Sequence, residues 1–295
     1  MTGNASLQMV PLAVDLDGTL SRTDTLHEAL LAHVSRHPAA LFSVPGWLTG
    51  GPAGFKARLA EANIVPGDAL PLNQTVLERV RAALAEGRPV LLVSAADQRQ
   101  AEAVAAPLGL FDEVIGTHDG RNLKGQAKAD YLTERFGQGG FDYVGDATAD
   151  LPVWAAARRA ITVGAGPRLR HAVEAVNGAV EHLDPPSGRA RTLLKAIRPH
   201  QWSKNILLFL PILAAHEPAK FGVVALAFLA FCCTASAVYV INDLFDLAAD
   251  RAHPRKRFRA FAAGDLTASF GVGAAAVLLL VALALGILTG SASFL

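Results

Sequence analysis

Two hydrophobic patterns divide this chain near residue 188. Before it, short apolar runs alternate with stretches of mixed polarity. The runs are PLAVDL (Pro11–Leu16), PVLLVSA (Pro89–Ala95), EVIGT (Glu113–Thr117), FDYVGD (Phe141–Asp146) and AITVGA (Ala160–Ala165). Each is aliphatic or β-branched and too short for a helix, so each predicts a strand. Between them, NQTVLERVRAALAEG and ADQRQAEAVAAPLGL repeat apolar positions at helical spacing. Strands alternating with helices predict an α/β fold, a parallel sheet covered on both faces. Ligands of such sheets sit beyond the carboxyl ends of the strands. Asp15, Asp17, Ser94 and Asp146 all fall there.

Beyond residue 188 the runs lengthen. Phe221 to Ile241 holds no charged residue, and a helix of roughly 20 apolar residues crosses the hydrocarbon of a bilayer. Ser269 to Gly290 is a second run of this kind. Asn205 to Ala215 is short and interrupted by Pro211. It reads either as a first span that begins in the amphipathic LLKAIRPHQW or as a buried core helix. The pattern predicts a first domain over 1–188 and an all-α transmembrane segment of about three helices over 189–295.

Charge sharpens this division. The net charge of +1 hides an acidic half, with 16 Lys+Arg against 21 Asp+Glu over residues 1–188, and a basic half, with 11 against 5 over 189–295. Positive residues stay on the cytoplasmic side of a membrane. One cluster (Arg189, Arg191, Lys195, Arg198, Lys204) precedes the first span and another (Arg251, Arg255, Lys256, Arg257, Arg259) lies between the second and third. Three spans put both clusters, and the first domain, in the cytoplasm of a multi-pass inner-membrane protein. The N-terminus lacks a basic stretch followed by an apolar core, so no signal peptide is expected. The only cysteines, Cys232 and Cys233, are adjacent within a span, and no disulfide follows. No nucleic-acid partner is expected.

The acids of the first half suit a specific chemistry. A carboxylate can accept a phosphoryl group. Mg²⁺, held by a few carboxylates, neutralises phosphate oxygens. A lysine and a hydroxyl hold the group in transfer, and a second acid protonates the leaving oxygen and then activates water. DLDGTL, LLVSAAD, KADYL and VGDATADL resemble, in order, the four motifs of the haloacid dehalogenase superfamily, most like its phosphoserine-phosphatase-type branch. The resemblance spans about residues 9–183 and implies a Rossmann-like sheet with a helical cap over about 21–70. It implies Asp15 as nucleophile, Asp17 as acid/base, Ser94 as phosphoryl contact and Lys128 as the steadying lysine, with Lys124 a rival. It also implies that Asp15, the Asp17 carbonyl, Asp146 and Asp150 hold Mg²⁺.

A second acidic motif, NDLFDLAAD (Asn242–Asp250), closes the second apolar run and is followed by RAHPRKRFR. On a continuous helix, Asn242, Asp246 and Asp250 share a face and Asp243 joins its edge. Carboxylates beside a cationic patch suit a metal-bound phosphate or diphosphate. A plain positive-inside anchor explains the arginines and leaves the acids unexplained. IRPHQWSKN together with SAVYVINDLFDLAADRAHPRKRFRAFAAG resembles the UbiA-type polyprenyl transferases, most like the decaprenyl-phosphate phosphoribosyltransferases. The resemblance covers about residues 190–295. It implies a metal–diphosphate motif of Asn242, Asp243, Asp246 and Asp250, phosphate contacts at Lys204, Lys256 and Arg259, and a polyprenyl phosphate or diphosphate substrate. The family's "RP" after the basic run is Arg259–Ala260 here, and its second acidic motif is not among these residues.

The expected protein is a bifunctional enzyme. A Mg²⁺-dependent phosphatase domain, acting on a small phosphorylated substrate, is joined to a prenyl or phosphoribosyl transferase. The alternative is a membrane-tethered phosphatase with an incomplete, inactive transferase portion.

Overall fold

The computed structural model describes residues 9–118, 122–184 and 189–290. The signal-peptide expectation rests in part on residues 1–8, and the 188/189 boundary on residue 188, all outside the described residues. The chain separates into two compact units, Met1–Ser187 and Gly188–Leu295.

The first unit is built on six parallel strands: β1 (Leu12–Val14), β2 (Val90–Asp97), β3 (Glu113–Thr117), β4 (Asp142–Gly145), β5 (Arg159–Val163) and β6 (Val180–Leu183), in the order β3-β2-β1-β4-β5-β6. Helices α1 (Thr25–Arg36), α2 (Ala40–Trp47) and α3 (Gly51–Ala62) follow β1. Then α4 (Gln74–Ala85), α5 (Gln98–Ala105), α6 (Gln126–Phe136), α7 (Leu151–Ala156) and α8 (Pro167–Val176) alternate with the later strands. The alternating side chains of a strand feed two cores. Leu12, Val14, Val90 and Leu92 enter one, with Val76, Val80 and Val104 from the helices. Ala13, Leu91 and Val93 enter the other, with Leu132, Val153 and Trp154. Central strands buried on both faces are mostly apolar, and β1 (Leu12–Val14) is wholly buried.

β6 was not among the expected strands. Its residues Glu181 and His182 break an apolar run, because β6 is an edge strand and only half-buried. Its register with β5 pairs Thr162 with His182, and the imidazole Nδ1 lies 2.7 Å from the Thr162 hydroxyl. The helices α1 to α3 occupy the segment expected to form a cap. Asp24 caps α1 by accepting from the backbone N–H groups of Leu26 and His27.

In the second unit, α9 (Arg189–Ala196) leads to a 3₁₀ helix over Pro199–Phe209, then α10 (Leu210–Ala214), α11 (Phe221–Phe245), α12 (Leu247–Ala252) and α13 (Ala268–Leu288). Among the described residues two helical segments are long and apolar enough to cross a membrane, Pro218–Phe245 and Ala268–Leu288. The first expected span is not an α-helix of that length. Pro199 and Pro211 each lack an N–H, and the segment is 3₁₀ up to Phe209. Helices α11 and α13 pack through small residues, with Ala230, Ala237, Ala275 and Ala282 buried. A Cβ on Gly271 would lie 2.6 Å from the Phe261 ring. Leu280, Leu288, Phe221 and Phe231 point outward and are more than half exposed.

Candidate functional site

The strand order of the first unit reverses between β1 and β4, which opens a crevice at their carboxyl ends. β1 ends at Val14 and pairs with Val144 of β4, so Asp15 and Asp146 flank this crevice. Val14 also pairs with Leu92 of β2, which puts Ser94 on the other side of Asp15. Lys128, in the first turns of α6, donates from Nζ to Asp15 Oδ1 at 2.7 Å. Lys124 is exposed, so it is Lys128 that the fold brings to Asp15. One oxygen from each of Asp15, Asp146 and Asp150 lies within 4.8 Å of the others.

The surroundings are tightly built. The Thr19 hydroxyl donates to Asp146 Oδ1 at 3.2 Å. Asp17 accepts from the Thr25 backbone N–H at 2.7 Å, at the start of α1. Ser94 is fully buried and its hydroxyl oxygen accepts from Ala96 N–H at 3.0 Å. Gly18 has φ +77°, and the space that a Cβ would fill is taken by the Asp146 carboxylate. Glycine is therefore required twice over in the DLDGTL loop.

Electrostatics report what this site lacks. Burial, followed by the Asp15 and Asp150 charges, pushes the Asp146 carboxyl up to about 8. Burial and then Asp24 raise Asp17 to about 7. Burial raises Asp15 to about 6, even against the attraction of Lys128. Burial alone would lower Lys128, but Asp15 and Asp150 hold its ammonium above its ordinary value. Crowded carboxylates with one ammonium among them are short of positive charge, and Asp15, Asp146 and Asp150 are the oxygen donors that Mg²⁺ takes.

Three further residues enter this site. Tyr143, in β4, accepts from Lys128 Nζ and donates to Asp150 Oδ1, both at 2.8 Å. Thr19 lies inside the quoted motif without an assigned role. Lys56 comes from the cap helix α3. Its Nζ donates to the Ala95 carbonyl at 2.6 Å and to Asn122 Oδ1 at 2.9 Å. The signal for Tyr143 was a phenol at a strand position, since a buried hydroxyl must find partners. Lys56 carried no such signal, because its partners are 39 and 66 residues away.

In the second unit the acidic motif spans the end of one helix and the start of the next. α11 stops at Phe245, Asp246 forms a kink, and α12 resumes at Leu247. Asp243 and Asp250 are buried while Asn242 and Asp246 are exposed. The reason is the apolar stripe: Val240, Leu244 and Leu247 are buried, and Asp243 and Asp250 flank them. Arg198 donates to both oxygens of Asp243 at 2.7 and 2.9 Å. Arg259 bridges the two acids, at 3.2 Å from Asp243 and 2.8 Å from Asp250. Lys256 stands 3.7 Å from Asp250 Oδ1, and that oxygen is buried without a hydrogen-bond partner. Lys204 is exposed. Of the expected phosphate contacts, Arg259 and Lys256 thus lie at the acids, and Arg198 was missed.

Comparison with known protein families finds a separate match in each unit. Residues 49–154 match the haloacid dehalogenase-like hydrolases and residues 206–295 match the UbiA prenyltransferase family. Over 92% of its length the chain is 41% identical to "Uncharacterized protein y4nM" of Sinorhizobium fredii, covering 53% of that protein. Over 35% of its length it is 44% identical to decaprenyl-phosphate phosphoribosyltransferase of Corynebacterium glutamicum, covering 33% of that enzyme. The chain thus spans about half the length of the first relative and about a third of the second. Among solved structures, a substrate-bound phosphoserine phosphatase complex aligns with 63% of this chain and 97% of its own, at 17% identity and a TM-score of 0.42.

Proposed function

We propose, for a chain that joins a haloacid dehalogenase-like hydrolase domain to a UbiA-family segment, that the first unit is a Mg²⁺-dependent phosphomonoester hydrolase borne on the cytoplasmic side of a membrane. The observation that carries this reading is the buried Asp15–Lys128 pair beside Asp146 and Asp150 at the strand-order reversal. In the proposed reaction Asp15 Oδ attacks phosphorus and the ester oxygen leaves with the electron pair of the broken P–O bond. Asp17, held near 7, gives that oxygen its proton. The same carboxylate then takes a proton from water as water attacks the phosphorus of the aspartyl phosphate; the Asp15 Oδ–P bond breaks with its electron pair going to Asp15, which returns as a carboxylate as inorganic phosphate leaves. Lys128 and Ser94 hold the phosphoryl oxygens, and Asp15, Asp146 and Asp150 would hold Mg²⁺. When bound, that cation supplies the positive charge the carboxylates and the phosphoryl group need.

For the second unit the reading is a transferase segment acting on polyprenyl phosphate, with Asn242, Asp243, Asp246 and Asp250 toward a Mg²⁺-bound phosphate group. The UbiA family is membrane-integral, and α11 and α13 suit that setting. A second reading, a tethered phosphatase whose transferase portion is inactive, is favoured by one observation: Arg198 and Arg259 already occupy the carboxylates of Asp243 and Asp250.

The test is phosphate release by the full chain in detergent, from a panel of phosphomonoesters, with and without Mg²⁺. Turnover should require Mg²⁺ and fall at least about 100-fold in Asp15→Asn, the scale of losing a nucleophile. Turnover that survives Asp15→Asn would remove the aspartyl-phosphate mechanism.

A further inference from the structure

Lys128 has a choice of carboxylates. Its Nζ is 2.7 Å from Asp15 Oδ1 and 3.5 Å from Asp150 Oδ1. In a buried setting an ammonium is drawn to whichever anion it reaches. The Tyr143 hydroxyl lies between these options. Its oxygen accepts from Lys128 and its single proton goes to Asp150 Oδ1, each at 2.8 Å. Asp150 Oδ2 takes the Ala147 backbone N–H at 3.3 Å. Asp150 thus has two neutral donors as well as the ammonium at 3.5 Å, and the ammonium sits closer to Asp15.

The phenol has no packing reason to be there. Tyr143 is fully buried in β4, its ring set edge-on to Trp154 at 6.3 Å between centroids. Phenylalanine would fill the same volume and bring no hydroxyl to desolvate. The hydroxyl's two bonds both go to the groups around Asp15.

We infer that Tyr143 is a positioning residue whose hydroxyl holds Lys128 closer to Asp15 than to Asp150. Its effect on turnover rests on the phosphatase reading above; its effect on Lys128 does not. Without the hydroxyl, Asp150 Oδ1 loses its donor and the ammonium closes on it. The Asp15 side of the site then loses the cation that faces the phosphoryl group in transfer.

Two measurements on Tyr143→Phe in the full chain decide this. The first is steady-state hydrolysis of p-nitrophenyl phosphate with Mg²⁺. kcat should fall about 10- to 100-fold while KM stays within about threefold, because the loss falls on the step and spares ground-state binding. The second needs no activity: a double-mutant cycle of thermal midpoints in metal-free protein with Tyr143→Phe, Asp15→Asn and the pair. Both positions bond Lys128, so the shift of the pair should depart from the sum of the single shifts. A hydroxyl whose bond to Lys128 does not bear on the Lys128–Asp15 pair gives additive shifts. Additive shifts, or an unchanged kcat in an active parent, would overturn the inference. A parent with no Asp15-dependent phosphate release would remove the phosphatase reading, and the cycle would still decide the role of Tyr143.

Discussion

Asp142 and Asp146 are four residues apart and their carboxyls are driven in opposite directions. Asp142 is fully buried. Burial would raise it, but hydrogen bonds from Arg158 and Arg88 hold it below its ordinary value. A lowered carboxyl stabilises the fold above the unfolded pKa of about 3.9 and loses that contribution as pH falls below it. Asp142→Asn should flatten the acid limb of stability below about pH 4. It should also cost about 3 kcal/mol near neutrality, since it takes from the buried Arg88 its buried anion and leaves it the Val10 carbonyl and the exposed Glu86. Urea melts across pH check both. Asp146, with its carboxyl raised to about 8, behaves oppositely. Its stabilising contribution is complete below about pH 4 and fades as pH rises through the folded value. Added Mg²⁺ should therefore raise the melting temperature more at pH 8 than at pH 5. An equal rise at both would argue against Asp146 as a ligand. The acids of this site were legible in the sequence because their motifs are short and local. The partners of Tyr143 and Lys56 were not, because only the closed fold brings them together.

At the scale of elements, the parallel sheet was readable from its aliphatic runs, and β6 was lost because an edge strand tolerates Glu181 and His182. Which acids of NDLFDLAAD are buried was not readable for a related reason. Spacing told which residues could share a face, while the burial of Leu244 and Leu247 decided which face turned inward. The cap shows how elements are tied at a distance. Lys56 pins α3 to the end of β2 at Ala95, and Arg99 of α5 reaches the Ala57 carbonyl at 3.0 Å. Hydrogen bonds from a charged donor stabilise by about 1.5–3 kcal/mol. Lys56→Met should therefore speed hydrogen exchange in α3 about tenfold or more, with β1 and β2 unchanged. Unchanged exchange in α3 would show that the cap is held by its apolar contacts alone.

At the scale of the whole molecule, the question for the proposed membrane setting is which side each end of α11 would face. Two spans alone would put the residues before α11 opposite the acidic motif. The second unit argues otherwise. Trp202 donates to Ser236 at 3.0 Å, Asn205 to Cys232 at 3.3 Å, and the Phe209 ring stacks near Phe221 and Phe228. As residue number rises along the first segment it falls along α11, so the two run antiparallel, with Arg198 at Asp243. A 3₁₀ helix rises about 2.0 Å per residue against about 1.5 Å for an α-helix. The Pro199–Phe209 and Leu210–Ala214 segments together reach about 30 Å, the thickness of a hydrocarbon core. The residue count that makes this segment look too short assumes α-helical rise. We therefore expect it to cross, leaving Glu217 on the far side and Arg257 beside the acids in the cytoplasm. With Cys232 and Cys233 replaced by serine, Glu217→Cys should react with an impermeant maleimide in intact bacteria. Arg257→Cys should react only after permeabilisation. The reverse pattern would mean that α11 and α13 are the only spans in this segment and that the link from the first unit meets the membrane on the side opposite Asp243.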